Sequence, residues 1–233
     1  MNYEVNSSTQ KSYLYSITRI AVTPQISPEL TLKNLKRNNF LPYFVKTTQE
    51  AYDLFFGTLL PEISPQVVSY ADSVTLGTTG IIERLKTEPG IRFIDTFEKG
   101  LSWEEKIERR RQALLVDLFL TGTNAITEDG KLINLDMIGN RINGIVFGPR
   151  NVVLTAGVNK LVKDLEAGMK RIREVSVPMN TRRHTNFRLP CQKTGVCSDC
   201  RSEQRICNAW SIVEKSFPKH RIRVIIIDQE LGY

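Results

Sequence analysis

An α/β domain on a mostly parallel, open sheet with helices on both faces is predicted by three observations. Helical periodicity alternates with short β-rich runs along the chain. One of those runs, residues 115–121, is almost continuously apolar, as a strand covered on both faces must be. The chain has 233 residues of which 41% are apolar, enough to bury a sizeable core. There is no internal repeat, low-complexity tract or Pro/Gly-rich linker. The reading is one domain over residues 28–233, after an N-terminal extension at 1–27.

Each element has its own signal. Ser27-Pro28-Glu29 supplies an N-cap, an N1 proline and a first-turn acid for a helix carrying Leu30, Leu35 and Leu41 to near Pro42. Residues 43–46 suit a short strand. Thr47-Thr48-Gln49-Glu50 has capping-box spacing and opens a helix with Ala51, Leu54, Phe55 and Leu59 inward, ending near Pro61. Residues 67–76 are β-rich and run into Gly77-Thr78-Thr79-Gly80, after which Ile81, Ile82 and Leu85 take helical spacing. A strand at 91–97 precedes a second capping box, Ser102-Trp103-Glu104-Glu105, and a charged helix through Arg111. Strands are expected at 115–121, 132–135, 144–147 and 152–156, with antiparallel hairpins in this middle region. A helix is expected over 160–174, where Leu161, Leu165, Met169 and Ile172 fall at helical offsets. Strands at 209–214 and 221–228 close the sheet, after a cysteine-rich excursion at 181–208.

Composition excludes some functions. No run approaches the roughly 18–20 apolar residues of a membrane span. Residues 1–10 are polar and lack a signal-peptide apolar region, so a cytoplasmic protein is expected. There is no G-x-G-x-x-G, Walker A or G-x-S-x-G pattern, so no nucleotide fingerprint or nucleophile elbow is present. The net charge is +7, and residues 181–223 hold ten basic residues against three acids. A surplus confined to one segment argues against nucleic-acid coating. It suits a local anion site or a docking face for an acidic partner, or a solvated loop.

Two constellations can carry chemistry. Gly77, Thr78, Thr79 and Gly80 form a strand–loop–helix junction where backbone N–H groups and two hydroxyls would meet an anion; a plain tight turn is the alternative. The run from Thr121 to Gly130 follows a buried strand and is dense in Gly, Asn, Asp and Thr. Glu128-Asp129-Gly130-Lys131 reads as its hairpin turn. Asn124, Asn134, Asp136, Asn140 and Arg141 are candidate ligand contacts. Gly157, Asn159 and Lys160 place a glycine, an amide and a cation at another strand end. The second constellation is Cys191, Cys197, Cys200 and Cys207, all the cysteines of the chain within 17 residues. Clustered thiols in a reducing compartment favour metal ligation over disulfides. Zinc, an iron–sulfur cluster and free thiols all stay open on this spacing.

The residues from Phe119 to Gly130, their continuation Leu132-Ile133-Asn134-Leu135-Asp136, Gly139-Asn140-Arg141 and Phe147-Gly148-Pro149 resemble the lactate-utilisation (LUD) domain family, DUF162-type. So do Ala156-Gly157-Val158-Asn159-Lys160 and Glu230-Leu231-Gly232-Tyr233, and the cysteine segment is similar to a subgroup of that family. The resemblance implies a fold like that of ribose-5-phosphate isomerase, glucosamine-6-phosphate isomerase and the CoA transferases. It implies a role in lactate oxidation to pyruvate beside separate iron–sulfur oxidoreductase subunits. In the wider isomerase-like group an acid often stands where this chain has Asn124, which counts against sugar-phosphate isomerisation.

The leading expectation is a small anionic ligand held by Thr78, Thr79, Asn124, Asn140, Arg141 and Lys160, with Asp136 and Glu128 exchanging protons. Histidine is scarce, His184 and His220 being the only two, and both are expected at the surface. That scarcity supports a second reading, a non-catalytic ligand-sensing or assembly subunit with structural zinc. An isomerase or CoA-dependent transferase is the third. Expected partners are the ligand, separate iron–sulfur subunits and a second copy of the chain, with no nucleic acid and no membrane span. All readings rest on one juxtaposition, that residues near 78, 124, 140 and 160 meet at one crevice where strands end.

Overall fold

A computed structural model describes residues 26–233. The expected N-terminal extension thus lies outside the described residues except for its last two. The described chain carries two sheets. The larger is wholly parallel and comprises β1 (Leu41–Val45), β2 (Val67–Tyr70), β3 (Arg92–Ile94), β4 (Leu118–Gly122), β7 (Asn151–Gly157) and β10 (Ile222–Ile227), in the order β1-β10-β7-β4-β2-β3. The smaller comprises β5 (Ala125–Thr127), β6 (Leu132–Asp136), β8 (Leu161–Val162) and β9 (Ala209–Val213), in the order β8-β5-β6-β9. Antiparallel pairing of β5 with β6 makes the predicted hairpin, closed by the bond from the Thr127 N–H to the Lys131 carbonyl.

Register explains the layering. Phe119 lies beside Val152 and Leu120 beside Val153, so neighbouring strands present matching faces. On one face Val68, Leu118, Leu120, Val153, Ile225 and Ile227 pack on Ala51, Phe55, Leu59, Leu76, Ile81 and Leu85 of the helical segments. On the other, Phe119, Val152, Leu154, Val224 and Ile226 meet Leu35 of α1 (Pro28–Arg37) and Ile126 and Leu132 of the smaller sheet. This second face is therefore shared by helices and a sheet. The outer side of the smaller sheet carries a third core, in which Ala125, Ile133 and Leu135 pack on Ile172, Val177, Leu189, Cys191, Ile206 and Cys207. Strands β4, β7 and β10 are buried on both sides, which accounts for their uninterrupted apolar runs.

Capping signals were read correctly. Ser27 accepts the Leu30 N–H at 3.2 Å, Thr47 caps α2 (Thr48–Leu54) and Ser102 closes a full capping box on Trp103–Gln112. Four expectations are corrected. Helix α1 ends at Arg37, because Asn39 turns the backbone left-handed (φ 62°) and sends Leu41 into β1. The run from 67 to 76 is strand only to Tyr70; Ser73 then starts a short helix, Val74–Thr78, by accepting the Leu76 N–H at 3.1 Å. Residues 144–147 belong mainly to a helix, Asn140–Val146, and not to a strand. Its last turn is held by the buried Arg221, which donates to the carbonyls of Gly144, Ile145, Phe147 and Pro149. The helix expected from residue 160 starts at Leu165 behind its N-cap Asp164, since Leu161 and Val162 pair with β5.

Candidate functional site

The carboxyl ends of β2, β4 and β6 and the turn after β7 meet around a cavity of about 180 Å³. In an open α/β sheet this is where ligands gather. Asp72, Ser73 and Val74 come from the end of β2; Gly122, Thr123 and Asn124 from β4; Asp136, Asn140 and Arg141 from β6 and the next helix. Lys160 enters from the turn after β7, and the helical run over 172–182, with Arg183, His184 and Tyr233, closes the far side.

A polar lattice fixes the floor. Asn124 Oδ1 accepts from the Leu135 N–H at 2.9 Å and from Arg141 Nη2 at 2.7 Å. Asp136 Oδ1 accepts from Arg141 Nε at 2.8 Å, and its Oδ2 takes the Ile142 N–H at 3.0 Å. Asp136 thus stands in for the side-chain cap that Gly139 cannot supply to helix Asn140–Val146. Both of its oxygens are engaged, so it holds Arg141 in place. Behind the floor, Arg171 donates to the carbonyls of Asn159 and Asn124 and to Ser176 Oγ.

Lys160 differs from these cations. Its side chain is 4% exposed, and Nζ donates to Thr75 Oγ1 at 2.9 Å. No carboxylate pairs with it among the described residues. Burial, with Arg141 and Arg171 nearby, pulls its amine down from the usual 10.5 to about 7. Arg110 is the second cation without an acid partner: its Nε is buried without a hydrogen bond, and its guanidinium lies 5.3 Å from the Phe97 ring centroid and 5.6 Å from that of Trp103. Arg183 pairs in fork geometry with Asp72, at 2.9 and 3.2 Å, on the rim. His184 stands beside it, its imidazole held below the ordinary value by burial and by the Arg183 charge. Tyr233 lies on the cavity beside Arg183. Four cationic side chains therefore face two carboxylates, both already paired.

Of the residues singled out from the sequence, Asn124, Asp136, Asn140, Arg141 and Lys160 share this cavity. Gly77, Thr78, Thr79 and Gly80 do not line it. They join two short helices, ending Val74–Thr78 and, at the N-cap Gly80, opening Ile81–Leu85, and the Thr78 and Thr79 hydroxyls donate back to the carbonyls of Thr75 and Leu76. The helix starts that do reach the cavity are at Ser73 and Asn140. Glu128 sits in the β5–β6 turn, ion-paired with Lys163 and away from the lining. Asn134 is fully buried in β6 opposite Ser211, with both side-chain polar atoms unpartnered. Gly157 and Asn159 hold the chain terminus. A Cβ on Gly157 would lie 2.5 Å from the Gln229 carbonyl oxygen, and the Asn159 amide bonds both the Leu231 N–H and the Gly232 carbonyl.

The cysteine segment packs against the outer side of the smaller sheet, and Cys207 also reaches the cavity wall. All four thiols are free. Cys191 Sγ lies 3.5 Å from Thr181 Oγ1, whereas Cys197 and Cys207 flank Arg173 Nη1 at 3.8 and 4.0 Å. Arg173 in turn pairs with Asp199 at 2.9 Å. A guanidinium nitrogen thus borders both sulfurs, and burial raises the Cys207 thiol above its ordinary value. Among the described residues no three His, Cys, Asp or Glu side chains are grouped to hold a metal ion. The four sulfurs as arranged therefore do not fit a four-thiolate centre.

Sequence reasoning missed Asp72, Arg110, Arg183 and His184 as cavity residues. The charge surplus over 181–223 pointed to the last two as a local anion site; nothing in the sequence placed Arg110 there. No helix of the described residues is long and apolar enough to cross a membrane.

A family model, the LUD domain, matches residues 28–227. No curated protein gives a significant match. Among solved structures, the chain is similar to a DUF162 family protein from Deinococcus radiodurans, at 12% identity and a TM-score of 0.46, covering 85% of this chain and 94% of that one.

Proposed function

The chain belongs to the LUD domain family, and from that premise we propose that it serves lactate utilisation by holding a small organic anion in the strand-end cavity. The single observation that carries the reading is Lys160, a buried cation that faces the cavity with no carboxylate partner. A buried charge without a counter-charge is costly, and an anionic ligand supplies the missing one. Arg110 adds a second unpaired cation, and the Asn124–Arg141–Asp136 lattice keeps the floor rigid. A carboxylate such as that of lactate or pyruvate matches this charge and fits the size of the cavity. The residues bind and orient; the sharing of Asp136 between Arg141 and the Ile142 N–H argues against it as the proton carrier.

Calorimetric titration with L-lactate and with pyruvate tests this. Lys160→Met and Arg110→Gln are each expected to weaken binding at least about tenfold, the loss of one charged contact. Unchanged affinity in both variants would overturn the assignment. A zinc ion or iron–sulfur cluster on the four cysteines is a separate proposal. It requires Arg173 to withdraw from Cys197 and Cys207, and Cys191 to leave Thr181. Metal analysis of protein purified without oxygen decides it.

A further inference from the structure

The cavity holds more than a charge receptor needs. Arginines bind carboxylates in fork geometry without losing their proton, and this cavity already has Arg110, Arg141 and Arg183. A buried primary amine adds something arginine cannot, a nucleophilic nitrogen. Lys160 Nζ has a single side-chain hydrogen bond among the described residues, to Thr75 Oγ1. That hydroxyl spends its own proton on the Leu231 carbonyl at 2.9 Å, so it presents a lone pair to the amine and orients it. The amine is thus held by one hydroxyl and walled from solvent.

We propose that Lys160 forms an imine with the keto group of a 2-oxo acid bound in this cavity. The inference rests on the anion-site reading above and names its substrate class. The lone pair of the neutral Lys160 nitrogen attacks the keto carbon, forming the C–N bond while the C=O π pair moves to oxygen. One amine proton passes to that oxygen, giving a carbinolamine. The second amine proton and the hydroxyl then leave as water, giving the C=N bond. No electrons are gained or lost, and the step reverses by hydrolysis. The substrate carboxylate is met by the guanidinium groups that line the cavity, of which Arg141 lies near enough to bear on the Lys160 charge. The amine's descent to about 7 leaves a large share of it neutral at pH 7, on the order of a thousand times the neutral share of an ordinary surface lysine.

The experiment is borohydride reduction of the full chain in the presence of pyruvate at pH 7, followed by peptide mass mapping, with pyruvate binding measured in parallel by calorimetry. The expected result is a reduced pyruvyl adduct on Lys160, at least about a hundredfold over any other lysine, given its larger neutral share. Lys160→Arg, which loses the nucleophile, is expected to lose the adduct. Pyruvate binding to the unaltered chain with no adduct at Lys160 overturns the imine and leaves the anion site standing. Absence of both binding and adduct overturns the two together. The measurement on the unaltered chain decides the matter even if a Lys160 variant fails to fold.

Discussion

Arg141 and Lys160 are both cations of the cavity, yet they are stabilised in opposite ways, and the difference is measurable. Arg141 is matched by Asp136, which is 7% exposed, and by Asn124. Removing it in Arg141→Ala strands a buried carboxylate, so urea unfolding is expected to show a loss of about 3–5 kcal/mol. Asp136→Asn combined with Arg141→Met is expected to cost less than the sum of the single changes, because it leaves no orphaned charge. Lys160 has no such match. Its folded amine titrates near 7 and its unfolded amine near 10.5, so between these values the unfolded chain binds the extra proton. The group's contribution to stability therefore rises with pH across that window and is least favourable below about pH 7. Lys160→Met is expected to flatten that slope and to stabilise the chain at pH 6 by about 1–4 kcal/mol, the range for replacing buried ionic groups by apolar ones. Equal slopes in the two proteins would refute the assignment of a buried, depressed amine. The sequence made Asn124, Arg141 and Lys160 visible, because polar residues directly after apolar strands need a reason. It gave Arg110 no mark, since a charged helix reads as solvated until the fold stacks Phe97 and Trp103 against it.

The elements misread from the sequence are those whose ends are fixed by distant residues. Gly144-Ile145-Val146-Phe147 has β propensity, and in isolation the strand reading follows. It is helical because Asp136 satisfies the Ile142 N–H at one end and Arg221 collects four carbonyls at the other. Gly144 permits the packing: a Cβ there would lie 2.4 Å from Phe119 Cε1. Arg221→Lys keeps the charge but replaces a planar fork by one nitrogen that cannot span four acceptors. The expected cost is about 2–4 kcal/mol, with hydrogen exchange rising first over 140–147. Because Arg141 lies in this helix, ligand affinity should fall with it. Local capping was legible at Ser27, Thr47 and Ser102, but not at Ser73 and Asp164, which follow apolar runs that read as continuous elements. The Gly77–Gly80 junction lies off the cavity for a related reason. Ser73 started the helix earlier, and the two threonine hydroxyls found carbonyls within their own turn.

At the scale of the whole molecule, the alternation of helices and buried runs foretold the parallel sheet, and the turn signal at Glu128-Asp129-Gly130-Lys131 foretold the hairpin. What it did not foretell is that the hairpin, with β8 and β9, builds a second sheet between the parallel sheet and the cysteine segment. That layer explains how a segment remote in sequence becomes a wall of the cavity: Ile206 and Cys207 pack on Leu135 while Arg183 and His184 close the rim. The four cysteines consequently fall into two environments, Cys191 and Cys207 in the core and Cys197 and Cys200 part-exposed. Access and thiolate character govern thiol reactivity, and Cys207 is disfavoured on both counts. Maleimide labelling of the native chain, followed by mass spectrometry, is expected to modify Cys197 and Cys200 at least about tenfold faster than the buried pair. Pyruvate or lactate in the cavity should slow Cys207 further and leave Cys197 unchanged, since Cys207 lines the cavity and Cys197 is not part of its lining. Four thiols that resist together, and become reactive together on chelation, would instead mean that they share one metal centre and that the segment folds around it.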